Sequence, residues 1–506
     1  MESITFTPLE KWLITVTVML VAIIEVLDIT IVNVSLDQMM GAFSANSQEI
    51  TWVLTAYLVS SAIFMPLTGL LVRHLGCKRL LLINIVGFLI ASMLCGASTT
   101  LSEIVVFRIL QGVFGASLVP IAQYVMRFTF TQAEQGKAMA IWGIGIMVAP
   151  VLGPTLGGYI TENLNWRWVF YINAPVCVLA FFMALSFIKE TPREHQKIDW
   201  LGLMWMTIAI GALQIILDQG NNHDWFSSNL IIGLTIVCVL GFIIFLYRGW
   251  YKTDHIINLH LFKERHFAIS TLILSLYCMG FMGSAMMQPL MLQILYNYPS
   301  DVAGNAMAPR GIASAVMMIF AVPLGKFFSS RALMLAGILL TCYGTYMMTL
   351  FNLNDDLFAL IMPGIIQGLG LGLVMVPISS TAFNYLKPSE ISEAAGQFSF
   401  GRSLGVSIGI SILSTVLSMA TQQHWNQLAG YINLANPNFL HWAAAQNLDP
   451  HDIHTIKMAA NLLGQQSTMI AFLDLYWVSL IMLLLTIPLV FLLKKPIPTS
   501  NSSGVH

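Results

Sequence analysis

The chain has 506 residues, of which 57% are hydrophobic and only 9% charged, with a formal net charge of −1. A soluble domain carries about 25% charged residues. This composition, with a mean hydropathy of +0.76, excludes a soluble globular protein. The near-neutral charge, without a basic tail or patch, excludes a nucleic-acid-binding role.

Apolar runs of about 20 residues or more recur along the chain, separated by short polar punctuation. They predict an all-α integral membrane protein of about fourteen transmembrane helices. The runs lie at 12–36, 50–73, 79–98, 104–127, 137–161, 166–188, 199–217, 228–249, 267–297, 306–327, 331–351, 357–386, 391–419 and 467–493. The first run is long, carries two acids and lacks a small-residue cleavage site, so it predicts a retained span rather than a signal peptide. Pro289 inside the long run 267–297 predicts a tilted or kinked helix.

Lysine and arginine set the orientation. With a cytoplasmic N-terminus, all but five of the 23 lysines and arginines fall at cytoplasmic ends and loops. Arg167, Arg310 and Lys457 fall at outer loops and ends, and Arg108 and Arg402 inside spans. The sorting predicts an even number of spans and both termini cytoplasmic. Three polar stretches are longer: a linker at 189–198, an amphipathic segment at 250–266 and the largest outer loop at 420–466. His424, His441, His451 and His454 in that loop lack close ligand spacing, so no metal site is expected. The six cysteines show no CxxC or metal-type spacing and read as packing residues.

Glu25 and Asp28 sit in the middle of the first run, one turn apart and on one helix face. A carboxylate at the centre of a spanning helix costs about 2.5 kcal/mol or more, so its retention points to function. Asp28 lies roughly 24 Å along the helix from Trp12, and Arg108 roughly 6 Å from the outer start of run four. In a core about 30 Å thick these depths match, so the two charges can face each other if the helices are neighbours. Two carboxylates against one arginine leave an acid free to exchange a proton; a purely structural ion pair is the alternative. In run five, Pro150 and Pro154 fall on one face and each removes a backbone hydrogen bond. Gly153 and Gly157 form a small-xxx-small pair that permits close helix approach. Arg402, mid-depth in run thirteen, must face an interior or a partner, with Asp474 as one candidate. Trp52, Tyr57, Gln111, Gln123 and Gln367 are candidate cavity residues.

The chain repeats itself. Arg108-Ile-Leu-Gln111-Gly112 followed by Pro120 is echoed by Gly364-Ile-Ile-Gln367-Gly368 followed by Pro377. Repeated helical halves with a site between them are the mark of secondary transporters. The expected units are a six-helix bundle at 1–190, a linker with two inserted helices and the amphipathic segment at 191–266, and a second six-helix bundle at 267–506. Gly364 at the position equivalent to Arg108 predicts that ionic chemistry is concentrated in the first half.

Leu27-Asp28-Ile29-Thr30-Ile31-Val32-Asn33-Val34 resembles the first-helix motif of the fourteen-span drug:proton antiporters of the major facilitator superfamily, the EmrB/QacA type. Gly145 to Gly158, including Pro150, Gly153, Pro154 and Gly157, resembles the fifth-helix antiporter motif of that family. Arg108 with Gln111-Gly112 resembles its fourth-helix motif, and Trp166 to Pro175 the segment opening its sixth helix. The resemblance covers nearly the whole chain. One departure is the loop between helices two and three, usually Gly-x-Leu-x-Asp-Arg-x-Gly-Arg. Here Arg73 occupies the acidic position, which puts the charge-paired latch of that loop in question.

The resemblance implies a proton-coupled multidrug efflux transporter that exports hydrophobic or cationic compounds, with Glu25, Asp28 and Arg108 in proton coupling. It also implies assembly with a periplasmic adaptor and an outer-membrane channel in Gram-negative relatives. A narrow exporter of one metabolite or siderophore on the same scaffold is the alternative. No GxxxxGK[ST] or HExxH motif occurs, so neither ATP hydrolysis nor intramembrane enzymology is expected, and no cofactor is implied.

Overall fold

The computed structural model describes residues 6–493 apart from 132–133, 192, 194–198, 252–258 and 388–389. Much of the amphipathic segment at 250–266 and of the linker at 189–198 therefore lies outside the described residues. Among the described residues, thirteen helices are long and apolar enough to cross a membrane. They are α1 (Pro8–Val34), α2 (Trp52–Leu75), α3 (Cys77–Ala97), α4 (Leu101–Thr129), α6 (Trp168–Phe187), α7 (Trp200–Gln219), α8 (Asn229–Trp250), α9 (Arg265–Tyr296), α10 (Val302–Phe327), α11 (Ser330–Met348), α12 (Leu357–Phe383), α13 (Ile391–Ala429) and α14 (Ile453–Leu492). The 29-residue helix α5 (Gln135–Asn163) lies alongside α1 and makes the fourteenth.

Local chemistry sets the ends. Thr7 with Glu10, and Thr100 with Glu103, form capping boxes that satisfy the first N–H groups of α1 and α4. Ser329 and Asp356 cap α11 and α12. Pro66 sits in a 3-10 turn, Met65–Leu67, within α2. The long helix α9 runs unbroken through Pro289.

Helices α1–α6 pack on one another, and so do α9–α14. Glycines set the closest approaches. A Cβ on Gly153 would run into Thr30, and one on Gly157 would lie 3.0 Å from the Ile31 carbonyl. The small-residue face of α5 is thus seated on α1, the helix that carries the acids. Gly405 and Gly409 of α13 lie against the Ser275 and Met279 backbone of α9 in the same way. Gly145 abuts Met19, whereas Gly158 has open space. Pro150 and Pro154 lie within α5, but their side chains are outside the described residues.

We call the face at which α1 begins the near face. There the halves are joined: Arg73 at the end of α2 pairs with Glu393 at the start of α13, and Arg127 donates to Asn384 at 3.1 Å. Gly69 admits the Glu393 backbone so closely that any Cβ would collide with it. The acid missing from the loop between α2 and α3 is therefore supplied by the other half, and a charge-paired latch exists. Near the far face α7 stands between the halves. Thr55 of α2 donates to Asp218, while Gln214 Nε2 donates to Ser407 Oγ (3.1 Å) and Ser411 Oγ to the Leu217 carbonyl (2.6 Å) on the α13 side. The first inserted helix, α7, is therefore a structural wedge as well as an insertion.

The segment 420–466, expected as a loop, is largely helix. Helix α13 is 39 residues long, about 58 Å at 1.5 Å per residue, and α14 begins at Ile453. Both project past a core about 30 Å thick, with a short helix, Pro437–Ala445, between them. His424 and Asp474 join the two helices at 2.7 Å.

Candidate functional site

At the heart of the first half Asp28 and Arg108, both 0% exposed, meet at 2.5 Å. Burying two charges is costly unless every lone pair and proton is used, and this site is densely bonded. Asp28 accepts from Arg108 Nη1, from Gln111 Nε2 at 2.8 Å and from Asn173 Nδ2 at 3.0 Å. Arg108 also donates to the Val53 carbonyl (3.0 Å) and to Gln111 Oε1 (2.8 Å), and its guanidinium lies 4.4 Å from the Tyr57 ring centroid. Ser92 Oγ accepts from Asn173 and Gln111 and donates to the Phe170 carbonyl. The network around this one carboxylate thus joins five helices of the half, α1, α2, α3, α4 and α6.

Glu25 is different. It is buried, yet among the described residues it makes no hydrogen bond or ion pair. The charges that act on it are Arg402, on α13 of the opposite half, and Asp28. Arg402 is partly buried, and its Nε has no partner. Asp474, the candidate partner for Arg402, is instead bonded to His424 on the projecting helices. Arg402 therefore faces the acid of the first half. The geometry supplies a fixed ion pair, Asp28–Arg108, and one turn nearer the near face a free acid opposite a free guanidinium across the interface of the halves.

The other candidates separate. Gln111 belongs to the network, and Tyr57 packs on Arg108 with its hydroxyl unbonded. Gln123 is buried with both amide atoms unpartnered, whereas Trp52 is 39% exposed. Gln367 Nε2 donates to Thr345 Oγ1 at 2.8 Å, repeating on α11 and α12 what Gln111 does with Ser92 on α3 and α4. Asn173 and Ser92 were not anticipated as site residues; a polar residue inside an apolar run was their signal.

Arg310 corrects an expectation. Assigned from sequence to an outer end, it is 7% exposed inside the second half. It lies against bare Gly364 and donates to Gln288. The backbones match: Gly112 is seated on the Tyr57 carbonyl and Gly368 on the Arg310 carbonyl. Arg310 is thus the counterpart of Tyr57, and Gly364 that of Arg108. Each half holds one buried arginine at this level, contributed by opposite helices of the pair. The ionic chemistry is not confined to the first half.

The Major Facilitator Superfamily model matches residues 18–256 and 271–435. The chain is 33% identical over 502 residues to the multidrug export protein EmrB of Escherichia coli K12, covering 97% of both chains. It is 34% identical over 490 residues to the fatty acid resistance protein FarB of Neisseria gonorrhoeae, covering 96% of both. The crystal structure of the human organic anion transporter MFSD10 superposes with a TM-score of 0.61 at 14% identity, over 94% of this chain and 100% of that one, which speaks to the fold alone. With two helical halves, a charged site in the first and these relatives, the chain belongs to the major facilitator superfamily of transporters.

Proposed function

We propose that this protein is a proton-coupled multidrug exporter of the cytoplasmic inner membrane, with both termini cytoplasmic, working by alternating access. In this reading the units are the bundles 1–190 and 267–506, joined by the inserted region 191–266. The observation that carries it is Glu25, a buried acid without a bond among the described residues, close enough to Arg402 of the other half to feel its charge. An intramembrane ionisable group of this kind is functional by default. Asp28 and Arg108 hold the helices of the first half in register around it. A proton taken up by Glu25 from outside removes its charge, weakens its attraction to Arg402 and releases cargo outward. Loss of that proton to the cytoplasm resets the site. The relatives named for multidrug export support a broad hydrophobic or cationic substrate range. The relative named for fatty acid resistance extends it to amphiphilic acids. The projecting ends of α13 and α14 are the surface suited to a periplasmic adaptor, through which an outer-membrane channel would join.

The test is dye movement in vesicles. A fluorescent cationic dye is loaded and a proton gradient imposed. E25Q and D28N are each expected to abolish gradient-driven flux; full activity in both variants rejects the assignment.

A further inference from the structure

The buried arginine of the second half lacks what its counterpart has. Arg108 is neutralised by Asp28 on α1. Arg310 faces Gln288 on α9, the first helix of its own half, so an amide stands where the other half has a carboxylate. Among the described residues no acid pairs with Arg310, and its Nε is buried without a partner. Its hydrogen-bond acceptor among the described residues, Gln288, is itself committed through Nε2 to the Leu360 carbonyl at 2.8 Å. After the turn at Ala306–Met307 within α10, Arg310 lies in the first turn of the continuous helical stretch Ala308–Phe327, where the backbone dipole disfavours a cation and favours an anion. A buried, uncompensated guanidinium at a helix start is costly, and a ligand carboxylate removes that cost.

The surroundings define the rest of the ligand. Ile312, Val316 and Ile319 form the exposed lipid-side face of α10, and Arg310 points to the other side, between α9 and α12. Met287, Met291, Leu360 and Tyr476 make the adjoining apolar cluster; it is closed and buried in this structure, and its flexible methionine side chains are the ones that part to admit an apolar chain.

We propose that Arg310, with Gln288, is an anion-binding site that takes the carboxylate of a hydrophobic monoanionic substrate, its chain lying in the methionine-lined cluster. This rests on the reading of the protein as a transporter and adds to it a second, oppositely charged pole. Cations are met by the acid of the first half, anions by the arginine of the second.

The test is equilibrium binding of radiolabelled laurate to the full chain in phosphatidylcholine nanodiscs, corrected for empty discs. It needs no proton gradient, so its outcome is separate from that of the transport assay. Saturable binding is expected in the parent, with R310Q weaker by about tenfold or more, the loss of a charge-assisted bond. Q288E places a carboxylate against Arg310, as Asp28 stands against Arg108, and is expected to expel laurate while retaining the guanidinium. Dodecyltrimethylammonium binding should not weaken in either variant. Laurate binding within twofold of the parent in R310Q or in Q288E overturns the proposal, as does absence of binding in the parent. Equal losses of laurate and of the cation overturn it too. Discs containing phosphatidylglycerol separate lipid from free amphiphile: undiminished laurate binding supports the site, and displacement by the lipid overturns it.

Discussion

Asp28 and Glu25 are both buried carboxylates on one turn of α1, and their neutral variants should behave in opposite ways when stability is measured. In D28N the amide nitrogen replaces an oxygen that accepts either from Arg108 or from both Gln111 and Asn173, and Arg108 loses its counter-charge among the described residues. Breaking one member of a buried ion pair costs about 3–5 kcal/mol. Arg108 Nη2 already lacks a partner, so nothing nearby takes up the slack. E25Q breaks no hydrogen bond and removes an unpaired buried charge, so no loss of that size is available to it. The assay is the fraction of detergent-purified protein that stays monodisperse after a temperature series. D28N should lose most of its thermal resistance and E25Q should track the parent. D28N/R108Q should recover part of the loss, because removing both charges together leaves neither stranded. Equal behaviour of the two single variants, or parental stability of D28N, refutes the division into one structural and one exchangeable acid.

Three further outcomes follow from the packing. G153A drives a methyl group into Thr30 and should reduce both yield and transport, whereas G158A, with nothing within 4 Å of its new Cβ, should leave them unchanged; parallel expression and dye-flux measurements check the pair. Charge reversal in R73E or E393R should open the near-face seal, read as faster maleimide labelling of Q397C one turn further into α13, and the double reversal should restore it. The third concerns pH. The Lys11 ammonium at 2.6 Å, with Thr131, holds the Glu134 carboxyl at about 2, below its ordinary 4.5. A depressed acid contributes fully above its ordinary value and loses that contribution as pH falls towards the folded one. The stability difference between parent and E134Q should therefore be flat from pH 8 to 5 and shrink only below about 4.5, seen by thermal unfolding across pH.

Hydrophobic run length was enough to read the span order, because the bilayer imposes it on the residues themselves. The meeting of Asp28 with Arg108 was legible for the same reason: depth along a helix follows from residue count. What escaped was lateral. Arg310 sits at the start of an apolar run, where a charge reads as surface, and only packing shows that it turns inward. In the sequence repeat the position equivalent to Arg108 is glycine, Gly364. The guanidinium arrives from the neighbouring helix, since a long side chain fills a place that its own backbone does not occupy. The projecting ends of α13 and α14 were hidden by their polarity, which in sequence resembles a loop. Arg402 was placed at the right depth, but its facing acid lies more than 370 positions away, and no local pattern joins them.

The link between the acid and the seal is a single helix. Arg402, which faces Glu25, and Glu393, which closes the near face with Arg73, both lie on α13, nine residues and roughly 13 Å apart. An unbroken helix transmits a shift at one point to the other, so a change in the charge of Glu25 can be felt at the latch without any wire of intervening side chains. This makes Arg402 a coupling residue whose loss should leave the latch itself intact. Labelling of Q397C should respond to substrate and to pH in the parent, and R402Q should fix it at one rate. If R402Q keeps the full response, α13 does not carry the signal. The coupling must then pass through α5, whose glycines at 145, 153 and 157 are seated on α1 and which also meets Met318 of α10 through Gly143.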